Sequence, residues 1–147
     1  MNANKKYVDD LIYKDLAYKI VGCFYNVYNE LGSGYKESVY HKALAIEFDI
    51  QGIRYEEEKR IVIKYKGKNA GYYTPDFVAD RKIIVEIKAV DIIPKLYETQ
   101  LYYYLKGTDY KLGYIVNFGG PKIDIRRRVY DTARISVTRI NANISDD

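Results

Sequence analysis

Scarcity does much to define this chain. Its 147 residues hold one cysteine, one histidine, three prolines and no tryptophan. A lone Cys23 forms no disulfide within the chain, and with only His41 beside it no Cys/His zinc site can be assembled. A Cys-His nucleophile pair is formally open, but Cys23 lies in an apolar helical stretch that suits a buried, inert thiol. No apolar run approaches the roughly 20 residues needed to cross a bilayer. The N-terminal stretch Met1 to Leu11 carries two lysines, then turns acidic where a signal peptide needs its apolar segment. A cytoplasmic location is the expectation. Any metal must be held mainly by oxygen, which favours magnesium, with manganese able to substitute.

The chain does have an ordinary globular hydrophobic content of 48%, a mild net charge of +4 and 18 tyrosines. That charge permits nucleic-acid binding without demanding it. Tyrosines stack on bases or bond to phosphates, but many must serve packing here. The length suits one domain over 1–147, with its core at about 8–130 and a polar, frayed tail ending in Asp146-Asp147. No repeat or Pro/Gly-rich linker divides it.

Apolar residues recur at helical spacing from about Val8 to Leu31, and Gly32-Ser33-Gly34 interrupts them. A second helix is expected from about Lys36 to Phe48. Strands follow at Arg60 to Tyr65 and Tyr72 to Asp80, separated by a turn over Lys66 to Gly71. Ile83 to Val90 is nearly all apolar, as in a strand buried on both faces. Pro94 opens a third helix reaching about Lys106, and Leu112 to Phe118 and Ile123 to Tyr130 read as two more strands. This order predicts an α/β fold with a mixed central β-sheet flanked by helices.

The chemistry-bearing feature is a carboxylate pair among the most apolar strands. Glu86 and Lys88 sit two apart, so their side chains share one face. Asp76, on the preceding strand, reaches that face across a short hairpin. Buried carboxylates cost several kcal/mol unless paired or bound to a cation. Spacing alone leaves two readings open. One is a structural Glu86–Lys88 salt bridge; the other is a metal site of Asp76, Glu86 and the Ile87 backbone carbonyl, with Lys88 acting on water and phosphate.

Thr74-Pro75-Asp76 followed by Glu86-Ile87-Lys88 resembles the PD-(D/E)XK nuclease signature. Gly34, Glu37 and Tyr40 fit the GxxExxY pattern that names a prokaryotic family of that superfamily. Tyr65-Lys66-Gly67, Val85 to Val90, Gln100 through Leu105 and Val116 to Gly119 extend the likeness over roughly Leu31 to Tyr130. The resemblance implies a restriction-endonuclease-like domain and a Mg²⁺-dependent nuclease that hydrolyses phosphodiester bonds, most naturally in DNA. It implies catalytic Asp76, Glu86, Lys88 and Glu37, with Asp76, Glu86, Glu37 and the Ile87 carbonyl around the metal. Gln100 and Tyr104, one helical turn apart, resemble the QxxxY motif of RecB-type exonucleases and would orient nucleic acid and site. Tyr40 would bond to a carboxylate or phosphate, or else pack. The alternative is a nucleic-acid- or protein-binding module that kept the fold without turnover. A homodimer stays open, and no membrane partner is expected. His41 is read as a partly exposed helix residue, Glu56 to Glu58 as a solvated strand entry, and Arg126 to Arg128 as either surface or nucleic-acid contact.

Overall fold

The computed structural model describes residues 12–131. The first turn of the expected first helix, Val8 to Leu11, and the polar C-terminal tail lie outside those residues.

Two helices come first. Helix α1 (Lys14–Leu31) buries Ile20, Cys23, Phe24 and Val27 at helical spacing and stops at Gly32. Helix α2 (Glu37–Ile50) buries Tyr40, Leu44, Ala45 and Phe48. Seven strands and one more helix follow: β1 (Tyr55–Glu57), β2 (Ile61–Tyr65), β3 (Lys68–Tyr73), β4 (Phe77–Ala79), β5 (Ile83–Lys88), α3 (Lys95–Lys106), β6 (Leu112–Asn117) and β7 (Asp124–Val129).

Five strands form a mixed sheet in the order β1-β4-β5-β6-β7, in which only β5 and β6 are parallel. Helix α3 is the crossover that a parallel pair requires. Strands β2 and β3 form a separate antiparallel hairpin. Alternation along β5 divides the interior. Ile83, Val85 and Ile87 join the core under α1 and α2. Ile84 joins a smaller core with Ile61, Tyr73, Leu101, Leu105 and Ile115, beneath α3 and the hairpin. No described helix is long and apolar enough to cross a membrane.

Three expectations change. The stretch expected as one strand from Tyr72 to Asp80 breaks at Thr74-Pro75-Asp76, and its halves enter different sheets. Pro75 has no N–H for a ladder and restricts the residue before it. The expected turn at Lys66 to Gly71 shrinks to Lys66-Gly67, with φ of 50° and 77°. Two positive φ values give the twist a two-residue hairpin needs, and Lys68 to Gly71 pair as strand. Finally, Tyr55–Glu57 is itself an edge strand, in register with Phe77 to Ala79.

Candidate active site

The site assembles where β4 begins and β5 ends. Phe77 is in register with Val85, so Asp76 arrives beside Glu86. The Asp76 N–H donates to Glu86 Oε1 at 2.9 Å, and the Ile87 N–H donates to Asp76 Oδ2 at 2.7 Å. Each carboxylate is thus oriented by a main-chain N–H from the other's neighbourhood. Phe118 N–H donates to Lys88 O, which turns Lys88's peptide groups toward β6. By alternation the Ile87 carbonyl faces the opposite edge, where its N–H already meets Asp76.

Closeness has an electrostatic consequence. Burial, and after it the charge of Asp76, push the Glu86 carboxyl up from 4.5 to about 7. The Asp76 N–H, the Lys88 ammonium and the Tyr73 hydroxyl oppose that rise. Burial also pushes the Tyr73 phenol strongly upward, followed by the charge of Glu86. Tyr73 therefore stays a neutral donor. Its hydroxyl is buried near Glu86 but makes no hydrogen bond of good geometry among the described residues. Two crowded carboxylates and an orphaned hydroxyl are what a bound cation and its water shell would relieve.

Lys88 Nζ lies 4.5 Å from the centroid of the Tyr97 ring, instead of in the salt bridge that spacing left open. Helix α3 brings Gln100 and Tyr104 to the same small cleft, lined also by Tyr73, Glu86, Lys88 and Tyr97. Tyr104 stacks flat on Tyr73, with centroids 3.9 Å apart. The cleft holds about 30 Å³. That is room for a water or an ion, so a phosphodiester must lie across its mouth.

The structure places Glu37 differently from Asp76 and Glu86. It stands in the first turn of α2, largely open to solvent. Partial burial and then the charge of Asp76 raise its pKa, while Lys88 and His41 pull it down. It shares the site's field without joining the carboxylate pair. Among the described residues, no three His, Cys, Asp or Glu side chains converge closely enough to hold a metal ion. The expected three-carboxylate cage is absent there.

Tyr40 faces away from the chemistry. Its ring is fully buried and stacks on Phe118 at 4.6 Å. Its hydroxyl donates to Gly32 O and accepts from the Tyr35 N–H at 3.2 Å. Those bonds engage the hydroxyl within the fold and tie the loop leading to Glu37. Arg126 and Arg128 are likewise engaged inside the fold, both with the buried Glu98 of α3, and Arg126 also with Asp124.

Sequence reading undervalued His41. Its ring stacks on Phe77 at 4.3 Å, with Nε2 3.2 Å from Glu57 Oε1 and Nδ1 3.8 Å from Asp76 Oδ1. Its position one helical turn beyond Glu37 was the available signal. The pairing with Glu57 needed the unforeseen strand β1. Tyr73 carried a weaker clue, three residues before Asp76.

A two-carboxylate strand pair, a following lysine and a helix-borne glutamine and tyrosine thus meet at one sheet end. The family model of the PD-(D/E)XK nuclease superfamily matches residues 14–128. The chain belongs to that superfamily. No curated protein and no solved structure matches it. As a PD-(D/E)XK chain it belongs among proteins that use divalent metals. Its donor set agrees with a hard cation, because magnesium is commonly held by one or two carboxylates while keeping several waters. Asp76, Glu86 and the Ile87 carbonyl fit such an open site.

Proposed function

We propose that this protein is a Mg²⁺-dependent nuclease of the GxxExxY type within the PD-(D/E)XK superfamily, acting on DNA. The observation that carries the reading is the reciprocal Asp76–Glu86 arrangement, in which two half-buried carboxylates each accept a main-chain N–H, Glu86 from Asp76 and Asp76 from Ile87, with Lys88 on the same sheet face as Glu86. Asp76, Glu86 and the Ile87 carbonyl would hold the ion. When bound, the metal polarises the phosphate and lowers the pKa of water for in-line attack. Lys88 orients that water and stabilises charge developing on the phosphate. Tyr73 holds a neutral hydroxyl beside Glu86, ready to donate to that carboxylate or to the ion's water shell. Gln100 and Tyr104, on the rim of the cleft, align the strand lying over it. Glu37 adds negative charge beside the pair and anchors water rather than metal.

The test is cleavage of labelled DNA with magnesium. Asp76→Ala, Glu86→Ala and Lys88→Ala should each lower the rate by at least roughly a hundredfold, with circular dichroism unchanged. Wild-type cleavage that persists in EDTA defeats the proposal.

A second reading, a nucleic-acid- or protein-binding module without turnover, is favoured by one observation. Among the described residues no three His, Cys, Asp or Glu side chains are grouped so as to hold a metal ion. Calorimetric titration separates the two. Heat of binding with Mg²⁺ or Mn²⁺ supports the nuclease, and a folded protein that binds neither supports the module.

A further inference from the structure

A wide groove lies apart from the cleft that holds the carboxylate pair. It encloses about 590 Å³, and its walls carry Lys59, Arg60 and Lys64 from the hairpin, Arg81 and Lys82 from the β4–β5 turn, and Lys106 from the end of α3. Asp109 is the one carboxylate lining it among the described residues. Arg81 and Lys82 precede β5, whereas Glu86 and Lys88 end it. At about 3.3 Å per residue the groove and the cleavage centre sit roughly 16 Å apart along that strand.

Six cations facing one carboxylate is a strong concentration in a chain with a net charge of only +4. Among the described residues, two of the six have acidic partners, Lys59 with Glu56 at 3.4 Å and Lys82 with Asp80 at 3.5 Å. Both pairs are long and solvent-accessible, so they hold the ammonium groups weakly. The hairpin side is uniform in sign. From residue 59 to residue 75 the sequence has Lys59, Arg60, Lys64, Lys66 and Lys68 and no aspartate or glutamate. The same arm exposes Tyr65 beside Lys64 and Lys66, and Arg60 lies 3.5 Å over the Tyr72 ring.

Continuity with the centre gives this charge a direction. Ile61, in the groove wall, is the register partner of Tyr73, which lines the catalytic cleft, and Asp76 follows three residues later. One hairpin base therefore borders both places. We propose that the groove is a second nucleic-acid site, holding the backbone of a single strand whose scissile phosphate lies at Asp76 and Glu86. The groove's cations take the phosphates, a contact that needs no particular sequence. The inference rests on the nuclease reading for its substrate, but the binding it describes does not depend on turnover.

The experiment is fluorescence anisotropy of a labelled oligothymidylate in EDTA across a salt series, using the full chain. Three proteins are compared: wild type, Lys64→Ala/Arg81→Ala/Lys82→Ala, and Asp76→Ala/Glu86→Ala. The groove variant should bind about tenfold or more weakly, and its slope of log K against log salt should be shallower by about 2, at roughly 0.7 per lost phosphate contact. The centre variant should keep the wild-type slope. These side chains are exposed, and an unchanged melting temperature certifies the fold of the groove variant. Equal affinity and slope for the groove variant and wild type overturn the proposal. So does tighter binding of phosphatidylserine vesicles or an acidic peptide than of the oligonucleotide. A wild type that binds through the groove, yet never cleaves with magnesium or manganese, fails the nuclease reading and upholds the groove.

Discussion

Glu86 concentrates the physical tension of this protein in one side chain. Its carboxyl is pushed up from 4.5 to about 7, first by burial and then by Asp76. A raised pKa means that the folded state binds the proton more tightly than the unfolded chain does. The stability contributed by the protonated group is fully present below pH 4.5 and is lost as pH rises toward about 7. Denaturant melts of the metal-free protein should show this decline, on the order of a few kcal/mol. Glu86→Gln should flatten the curve, because its amide cannot ionise. An equally steep decline in that variant would assign the effect to another group.

At the level of elements, helix α3 matters because it delivers Gln100 and Tyr104. Its seat on the sheet depends on an ion network that no sequence spacing announced. Arg126 Nη1 lies 2.8 Å from Glu98 Oε2, and Arg128 Nη2 meets Glu98 Oε1. Glu98 is buried, whereas the two arginine side chains remain 32% and 37% exposed. Removing the acid leaves the two cations side by side on one face of β7 without their shared partner on the helix. Solvent moderates the penalty, so Glu98→Ala should cost about 1–3 kcal/mol in chemical denaturation. A shift in KM for DNA should accompany it as α3 loosens; unchanged stability and KM would mean that apolar packing alone seats the helix. The β6–β7 connection is fixed as tightly. A Cβ on Gly119 would come within 2.4 Å of Val90 N, and Asn117 Oδ1 accepts N–H groups from Val90 and Gly119. The Val116 to Gly119 motif thereby serves to clamp the chain leaving β5.

For the whole molecule, the proposed metal site would link folding to solution conditions. Asp76 and Glu86 converge only in the folded state, so a cation that binds there stabilises the fold by mass action. Magnesium at a hundred times its dissociation constant should add about 2.7 kcal/mol and raise the melting temperature by several degrees. Asp76→Ala should melt at the same temperature with and without magnesium. An equal magnesium effect in both proteins would locate the bound ion elsewhere. The superfamily assignment over residues 14–128 sets this expectation, and the mutual carboxylate geometry gives it a physical basis.

The amino-acid sequence showed the three helices by their apolar spacing, most of the strands, and Asp76, Glu86 and Lys88 as candidates, while resemblance to a family motif added Gln100 and Tyr104. Periodicity and spacing are local properties, and those readings needed only neighbours along the chain. The tertiary structure decided the rest. It split Tyr72 to Asp80 at Pro75, turned Tyr40 into the core and kept Glu37 outside the carboxylate pair. It also brought His41 against Phe77 and Glu57, and Arg126 and Arg128 onto Glu98. Those outcomes depend on which surfaces meet across the sheet, and partners distant in sequence leave no periodic mark. The basic groove shows both sources. A run of cations without acids from residue 59 to 75 was written in the sequence; folding alone set it opposite Arg81, Lys82 and Lys106.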